Sequence, residues 1–148
     1  MENLNEDPQP SDATQNLQEL PYSFPIGKSG DTLGSLFFTE PNFPVSLVYF
    51  IKDVKVGEIR GNHAHKKLYQ VLICAAGSFK LVLTNSKQNF TFECNQSETA
   101  IFIPPGYWRV LSEFSKDGVC LVLASEKFDE SDYIRDWASY LNWLGISK

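Results

Sequence analysis

From Leu33 to Ser125 the chain is a succession of short runs rich in β-branched and aromatic residues. They are Leu33–Thr39, Ser46–Lys52, Lys67–Ala75, Phe79–Thr84, Asn89–Glu93, Thr99–Ile103, Arg109–Ser112 and Val119–Ser125. Turn-forming groups separate them: Gly30-Asp31, Pro41-Asn42, Gly77-Ser78, Asn85-Ser86, Pro104-Pro105-Gly106 and Asp117-Gly118. Gly, Pro, Asn and Asp supply the backbone conformations that reverse a chain, so each group ends one strand and starts the next. Many short strands at close spacing predict a β-sandwich or barrel. Eleven Phe, six Tyr and three Trp suit that reading, because such side chains pack well on a pleated surface.

One helix is predicted, from about Ser131 to Leu144, where Tyr133, Trp137, Tyr140, Leu141 and Leu144 recur at helical spacing. Asp129 or Ser131 suits its N-cap and Gly145 its C-terminal end. Its aromatic face is expected to pack on the barrel. Residues 1–18 are polar and acidic, with almost no apolar side chains, and are expected to form a flexible arm. Residues 19–148 are then a single domain without internal repeats.

The formal charge of −5, with no basic stripe, argues against nucleic acid as a partner. No apolar run is long enough to span a bilayer, and no basic-then-apolar leader opens the chain, so no membrane contact and a cytoplasmic location are expected. Cys74 and Cys120 lie in apolar runs and read as buried small hydrophobes. Three cysteines without CxxC spacing do not make a disulfide framework or a zinc site.

The chain has two histidines, and they stand one residue apart in Arg60-Gly61-Asn62-His63-Ala64-His65-Lys66. Side chains alternate faces along a strand, so His63 and His65 point the same way. Paired imidazoles are metal ligands, acid–base groups, or both. Hydrogen-bonded core filler is the bland alternative. The cations around the pair (Arg60, Lys66, Lys67 and Arg109) favour a small-molecule site.

Gly57, His63, His65, Gln70 and Gly77 are spaced in a way that resembles the first motif of the cupin superfamily, and Pro104-Pro105-Gly106 resembles the turn of the second. In metal-binding cupins Glu commonly stands at the position of Gln70, and a third His at that of Arg109. Gln70 is a weaker, neutral ligand and Arg109 cannot ligate at all. The substitutions leave the histidines for proton chemistry and Arg109 for an anion, with no metal and no cofactor expected.

The segment Arg60–Lys67 also resembles the RGxHAHK motif of the nucleotide-sugar 3,4-ketoisomerases, which are cupins. The likeness extends to Val48-Tyr49-Phe50-Ile51, to Gln70 through Gly77-Ser78-Phe79, and to Ile103-Pro104-Pro105-Gly106-Tyr107-Trp108. It continues through Leu121–Ser125, Phe128-Asp129-Glu130 and Asp132–Asp136. The resemblance implies an all-β cupin jelly-roll barrel with a C-terminal helix, a homodimer, and movement of a keto group from C4 to C3 of a TDP-linked 4-keto-6-deoxy sugar. His63 is then expected to carry the carbon proton transfer and His65 to shuttle a proton between the two oxygens. Tyr49 is the expected hydrogen-bond donor to the sugar oxygens. Arg60, Lys66, Trp108 and Arg109 are expected substrate contacts, with Trp108 stacking on the thymine or packing in the core. Gln70 is expected to hold a histidine tautomer. The competing readings are a metal-dependent cupin enzyme using His63, His65 and Gln70, and a non-catalytic nucleotide-sugar-binding module.

Overall fold

Alternation of apolar and polar residues builds the inner wall of the protein. In Phe79–Thr84, residues Phe79, Leu81 and Leu83 are buried, while Lys80, Val82 and Thr84 are only partly covered. A strand with that pattern has one face on a core and one toward solvent. Burial of each such leucine contributes about 1.5–3 kcal/mol.

The computed structural model describes residues 19–146, so the predicted arm over residues 1–18 lies outside the described residues. The strands are β1 (Tyr22–Pro25), β2 (Gly27–Asp31), β3 (Gly34–Phe38), β4 (Leu47–Ile51), β5 (Arg60–His65) and β6 (Gln70–Ala76). They continue with β7 (Phe79–Thr84), β8 (Asn89–Cys94), β9 (Thr99–Ile103), β10 (Trp108–Ser112), β11 (Val119–Ala124) and β12 (Tyr133–Ile134), before helix α1 (Trp137–Trp143). Two five-stranded sheets, ordered β1-β9-β6-β11-β4 and β12-β5-β10-β7-β8, face each other as a cupin jelly roll. Hairpin β2–β3 forms a separate two-stranded sheet.

The main core between the sheets includes Leu72, Leu81, Leu83, Ile103, Leu111 and Val122. All three cysteines are buried and unpaired, Cys94 along with the two predicted. Strand β6 is covered on both faces. Leu72 and Cys74 join the main core, and Val71 and Ile73 pack outward with Ala100 and Phe102.

The predicted helix is shorter than its apolar spacing suggested. Asp129 caps only a 3-10 turn, Glu130–Asp132. Tyr133 and Ile134 then leave helical geometry to pair with His65 and Ala64 on β5. Edge pairing with β5 outweighs local helical preference there, a tertiary override of a weak prior. Asp136 caps α1, accepting from the Ser139 backbone N–H at 2.8 Å, and Gly145 ends it as expected, with φ +78°. The helix is fastened to the barrel by Tyr140, fully buried, whose hydroxyl lies 2.8 Å from the Gly106 carbonyl.

Candidate active site

A β-bulge prepares the site. Pairing of β5 with β10 runs Arg109 to His63 and then Val110 to Gly61, so Asn62 is the extra residue. Gly61 and Asn62 both have positive φ, 91° and 53°. A side chain at Gly61 would also collide with the Arg109 carbonyl, its Cβ approaching to 2.7 Å. Bulges re-aim the residues that follow them. Here those residues are His63 and His65.

The two imidazoles meet edge to face, with ring centroids 4.9 Å apart and Nε2 to Nε2 at 3.2 Å. His63 Nδ1 lies 3.1 Å from the Gly61 carbonyl, and His65 Nδ1 lies 3.1 Å from Asp132 Oδ2. A carbonyl and a carboxylate only accept, so each contact asks for an N–H on the ring. The Nε2–Nε2 contact asks for a third proton. Two neutral rings carry two. Burial first, and then the Arg109 guanidinium, lowers both histidines from their usual value, His63 to about 4. At neutral pH the pair is therefore uncharged and one proton short of completing its contacts.

Opposite the histidines, a second chain of hydrogen bonds runs in the other direction. Arg109 is buried, pairs with no carboxylate among the described residues and donates from Nη1 to Gln70 Oε1 and from Nη2 to the Tyr107 carbonyl at 3.2 Å. Its Nε has no partner among the described residues. Gln70 Nε2 donates to the Tyr49 hydroxyl at 2.9 Å. Since that oxygen accepts, its own proton is available to a ligand. Burial raises the Tyr49 pKa and burial lowers that of Arg109 to about 10, so at neutral pH both groups keep their protons.

Both chains end at one cavity of about 1020 Å³, lined by Tyr49, His63, Gln70 and Arg109 together with Tyr133. Arg60 and Arg135 also line it, both exposed to solvent. The volume suits a drug-sized or larger ligand. His65, 1% exposed, lies behind His63 and does not line it. Among the described residues no group of three or more His, Cys, Asp or Glu is placed to hold a metal ion. The two Nε2 atoms, turned toward each other at 3.2 Å, would offer a dication at most two ligands, next to the Arg109 cation.

A family model described as FdtA: WxcM-like, C-terminal matches residues 22–145. The chain belongs to this family. A TDP-4-oxo-6-deoxy-alpha-D-glucose-3,4-oxoisomerase from Aneurinibacillus thermoaerophilus is 37% identical over 118 residues, spanning 77% of this chain and 85% of that one. The FdtA-type fold is also shared with solved structures. A 3,4-ketoisomerase from Helicobacter canadensis has a TM-score of 0.81 at 33% identity, covering 84% of this chain and 97% of its own. The sugar 3,4-ketoisomerase QdtA from Thermoanaerobacterium thermosaccharolyticum, solved with TDP, has a TM-score of 0.81 at 36% identity, covering 84% and 94%.

Within this FdtA-family site the structure brings together His63, His65, Tyr49, Gln70 and Arg109, with Arg60 at the rim. It corrects two expectations, for Gln70 and Lys66, and gives Trp108 the second of its two expected places, the core. Gln70 touches no histidine; it bridges Arg109 and Tyr49. Trp108 does not line the cavity; it is buried with Ala64, Ile134 and Tyr140, and its ring meets that of Trp137 edge to face at 5.3 Å. Lys66 also lies outside the cavity, donating from Nζ to the Ser131 carbonyl at 3.1 Å. Three residues were missed. Asp132 holds His65. Tyr133 packs against both imidazoles, with centroids 4.9 and 4.3 Å away. The Arg135 guanidinium lies over Tyr133 at 4.2 Å. All three sit in the stretch Asp132–Asp136, quoted for its likeness but assigned to a helix.

Proposed function

We propose that this chain is a sugar-nucleotide 3,4-ketoisomerase, moving the keto group of TDP-4-oxo-6-deoxy-D-glucose from C4 to C3 by metal-independent acid–base chemistry. The observation that carries the reading is the uncharged His63–His65 pair, one proton short, opposite a buried cation that lacks a carboxylate. The activities of the relatives named above supply the substrate.

Moving a carbonyl to its neighbour needs a proton taken from C3, a proton delivered to C4 and the hydroxyl proton of O3 moved to O4, through an enediol or enediolate; the last passes between the two adjacent oxygens beside the Tyr49 hydroxyl. His63, which reaches the cavity, takes and returns the carbon proton. His65 accepts that proton from His63 and, once it has exchanged with solvent, one is handed back, which departs from the expectation that His65 shuttles a proton between the two sugar oxygens. Tyr49, polarised through Gln70, donates to an oxygen where negative charge develops. Arg109, which lines the cavity, supplies positive charge for the enediolate and, after burial, helps to keep the histidines unprotonated before reaction. Arg60 and Arg135 are the rim cations suited to the pyrophosphate, because guanidinium forks match phosphate oxygens. The reaction is placed in the cytoplasm, where sugar nucleotides are made from nucleoside triphosphates.

A second copy of the chain completes the assembly in this reading. Leu33, Leu36 and Phe38 on and beside hairpin β2–β3 are 93%, 62% and 53% exposed, and Val48 and Phe50 are exposed on edge strand β4. Apolar surface of this extent marks an interaction face.

The test is proton NMR of TDP-4-oxo-6-deoxyglucose with the protein in deuterated buffer containing a chelator. A 3-oxo sugar with deuterium at C4 is the expected product. Turnover only after metal is restored supports the metal-dependent enzyme instead, and TDP binding without turnover supports the binding module.

A further inference from the structure

We infer that Asp132 is the positioning residue of the proton-transfer pair: it holds His65 as the Nδ1–H tautomer, so that His65 Nε2 is a proton acceptor facing His63. The inference rests on the ketoisomerase reading above for its consequence in turnover, though not for its structural content.

Asp132 is itself tightly held. Its Oδ1 accepts from the Lys67 backbone N–H at 2.7 Å and its Oδ2 from His65 Nδ1 at 3.1 Å. Its carbonyl accepts from the Lys66 N–H at 3.0 Å, and its own N–H donates to the Asp129 carbonyl at 3.1 Å. Its side chain is 11% exposed. The 3-10 turn is thus clamped to the end of β5, and one carboxylate oxygen is left to read a single ring nitrogen.

That contact decides the direction of the histidine pair. With the His65 proton fixed on Nδ1, its Nε2 carries a lone pair at 3.2 Å from His63 Nε2. A proton arriving on His63 then has somewhere to go. The result is an imidazolium shared by two rings, with Asp132 as its counter-charge. Reversing the His65 tautomer would place an N–H there instead, and the relay would be blocked. Of the contacts made by the pair, the one to a carboxylate is the strongest, because one partner is ionised. The alternative is that Asp132 merely clamps the turn through Lys67. The two carboxylate oxygens separate these roles.

Asp132→Asn divides them. Its carbonyl oxygen can still accept from the Lys67 N–H. Its amide group then faces His65 Nδ1 and can only donate. The opposite amide orientation would press two donors together at the Lys67 N–H. The substitution therefore preserves the clamp and inverts the tautomer.

The experiment is ring nitrogen NMR on protein labelled with 15N-histidine. The chain has two histidines, so each ring can be followed. In the wild type, the His65 ring is expected protonated at Nδ1 and bare at Nε2. In Asp132→Asn the pattern is expected to reverse, with the KM for the sugar nucleotide nearly unchanged and turnover lowered about 10²–10³-fold. A wild-type His65 protonated at Nε2 overturns the inference without any variant, even if Asp132→Asn fails to fold. A reversed tautomer with unchanged turnover overturns it too. Should the wild type lack isomerase activity, the ring spectra still decide the tautomer, and the failure then belongs to the functional reading alone.

Discussion

The site is made of two hydrogen-bond chains with opposite polarity. Asp132 accepts from His65, which faces His63; Arg109, on the strand paired with theirs, donates across the barrel to Gln70 on the facing sheet, which donates to Tyr49. The first is rooted in an anion and ends in a group ready to take a proton. The second is rooted in a cation and ends in a group ready to give a hydrogen bond. The charge at the root, passed through one neutral intermediary, fixes what the terminal group does. Gln70 shows why the intermediary matters. Its two ends differ, so it can accept from Arg109 and donate to Tyr49 at once. A glutamate there would accept from both, and the Tyr49 proton would turn inward.

The strongest break in this contrast is His63→Asn, which removes the terminal acceptor. Turnover in the deuterium-exchange assay is expected to fall by about 10³-fold or more while circular dichroism stays native. Arg109→Met removes the root of the other chain. A loss of about 10²–10³-fold in turnover is expected, with thermal stability little changed because an unpaired buried cation has been deleted. The same variant should raise the His63 pKa toward its ordinary value, which ring nitrogen NMR would read. Gln70→Glu keeps both roots and spoils the transmission. About 10–10²-fold lower turnover is expected, and wild-type activity in this variant would show that Tyr49 does not need its outward proton.

The smallest effect is on stability and sharpens the contrast without touching substrate. His63 has a folded pKa of about 4 against an ordinary 6.5, so between these values the unfolded chain binds more protons. Stability contributed by keeping His63 neutral is fully present above about pH 6.5 and is lost as pH falls through about 4. Urea unfolding at pH 7, 5.5 and 4.5 should show wild type losing stability faster than His63→Asn, which lacks the titrating ring.

Much of the fold was legible because strands announce themselves by alternation and by the turns that end them. Phe79–Thr84 and Thr99–Ile103 begin and end where the runs predicted. The convergence of His63 and His65 followed from period two alone. What escaped was set by partners far away in the chain. Strands β1 and β2 lie among residues whose composition reads as loop, and they exist because β9 and β3 pair with them. Tyr133 and Ile134 fit a helical pattern, yet edge pairing with β5 claims them. For Trp108 the sequence left stacking on the thymine and packing in the core equally open, and strand parity decides for the core, sending Arg109 inward and Trp108 out, under Tyr140 and Trp137. Asp132 has no local signature as a histidine partner, since carboxylates in a polar stretch are ordinarily solvated.

The contact between His65 and Asp132 spans 67 positions of sequence. A chain made only as far as Ala124 carries every strand of the two large sheets except β12 and every buried residue of the main core. It still lacks Asp132 and Tyr133, so the His65 ring has neither its acceptor nor its edge-on aromatic neighbour. Architecture and chemistry thus rest on different parts of the chain: the strands up to Ala124 supply the barrel, and residues 130–135 set the histidine pair and add a rim cation.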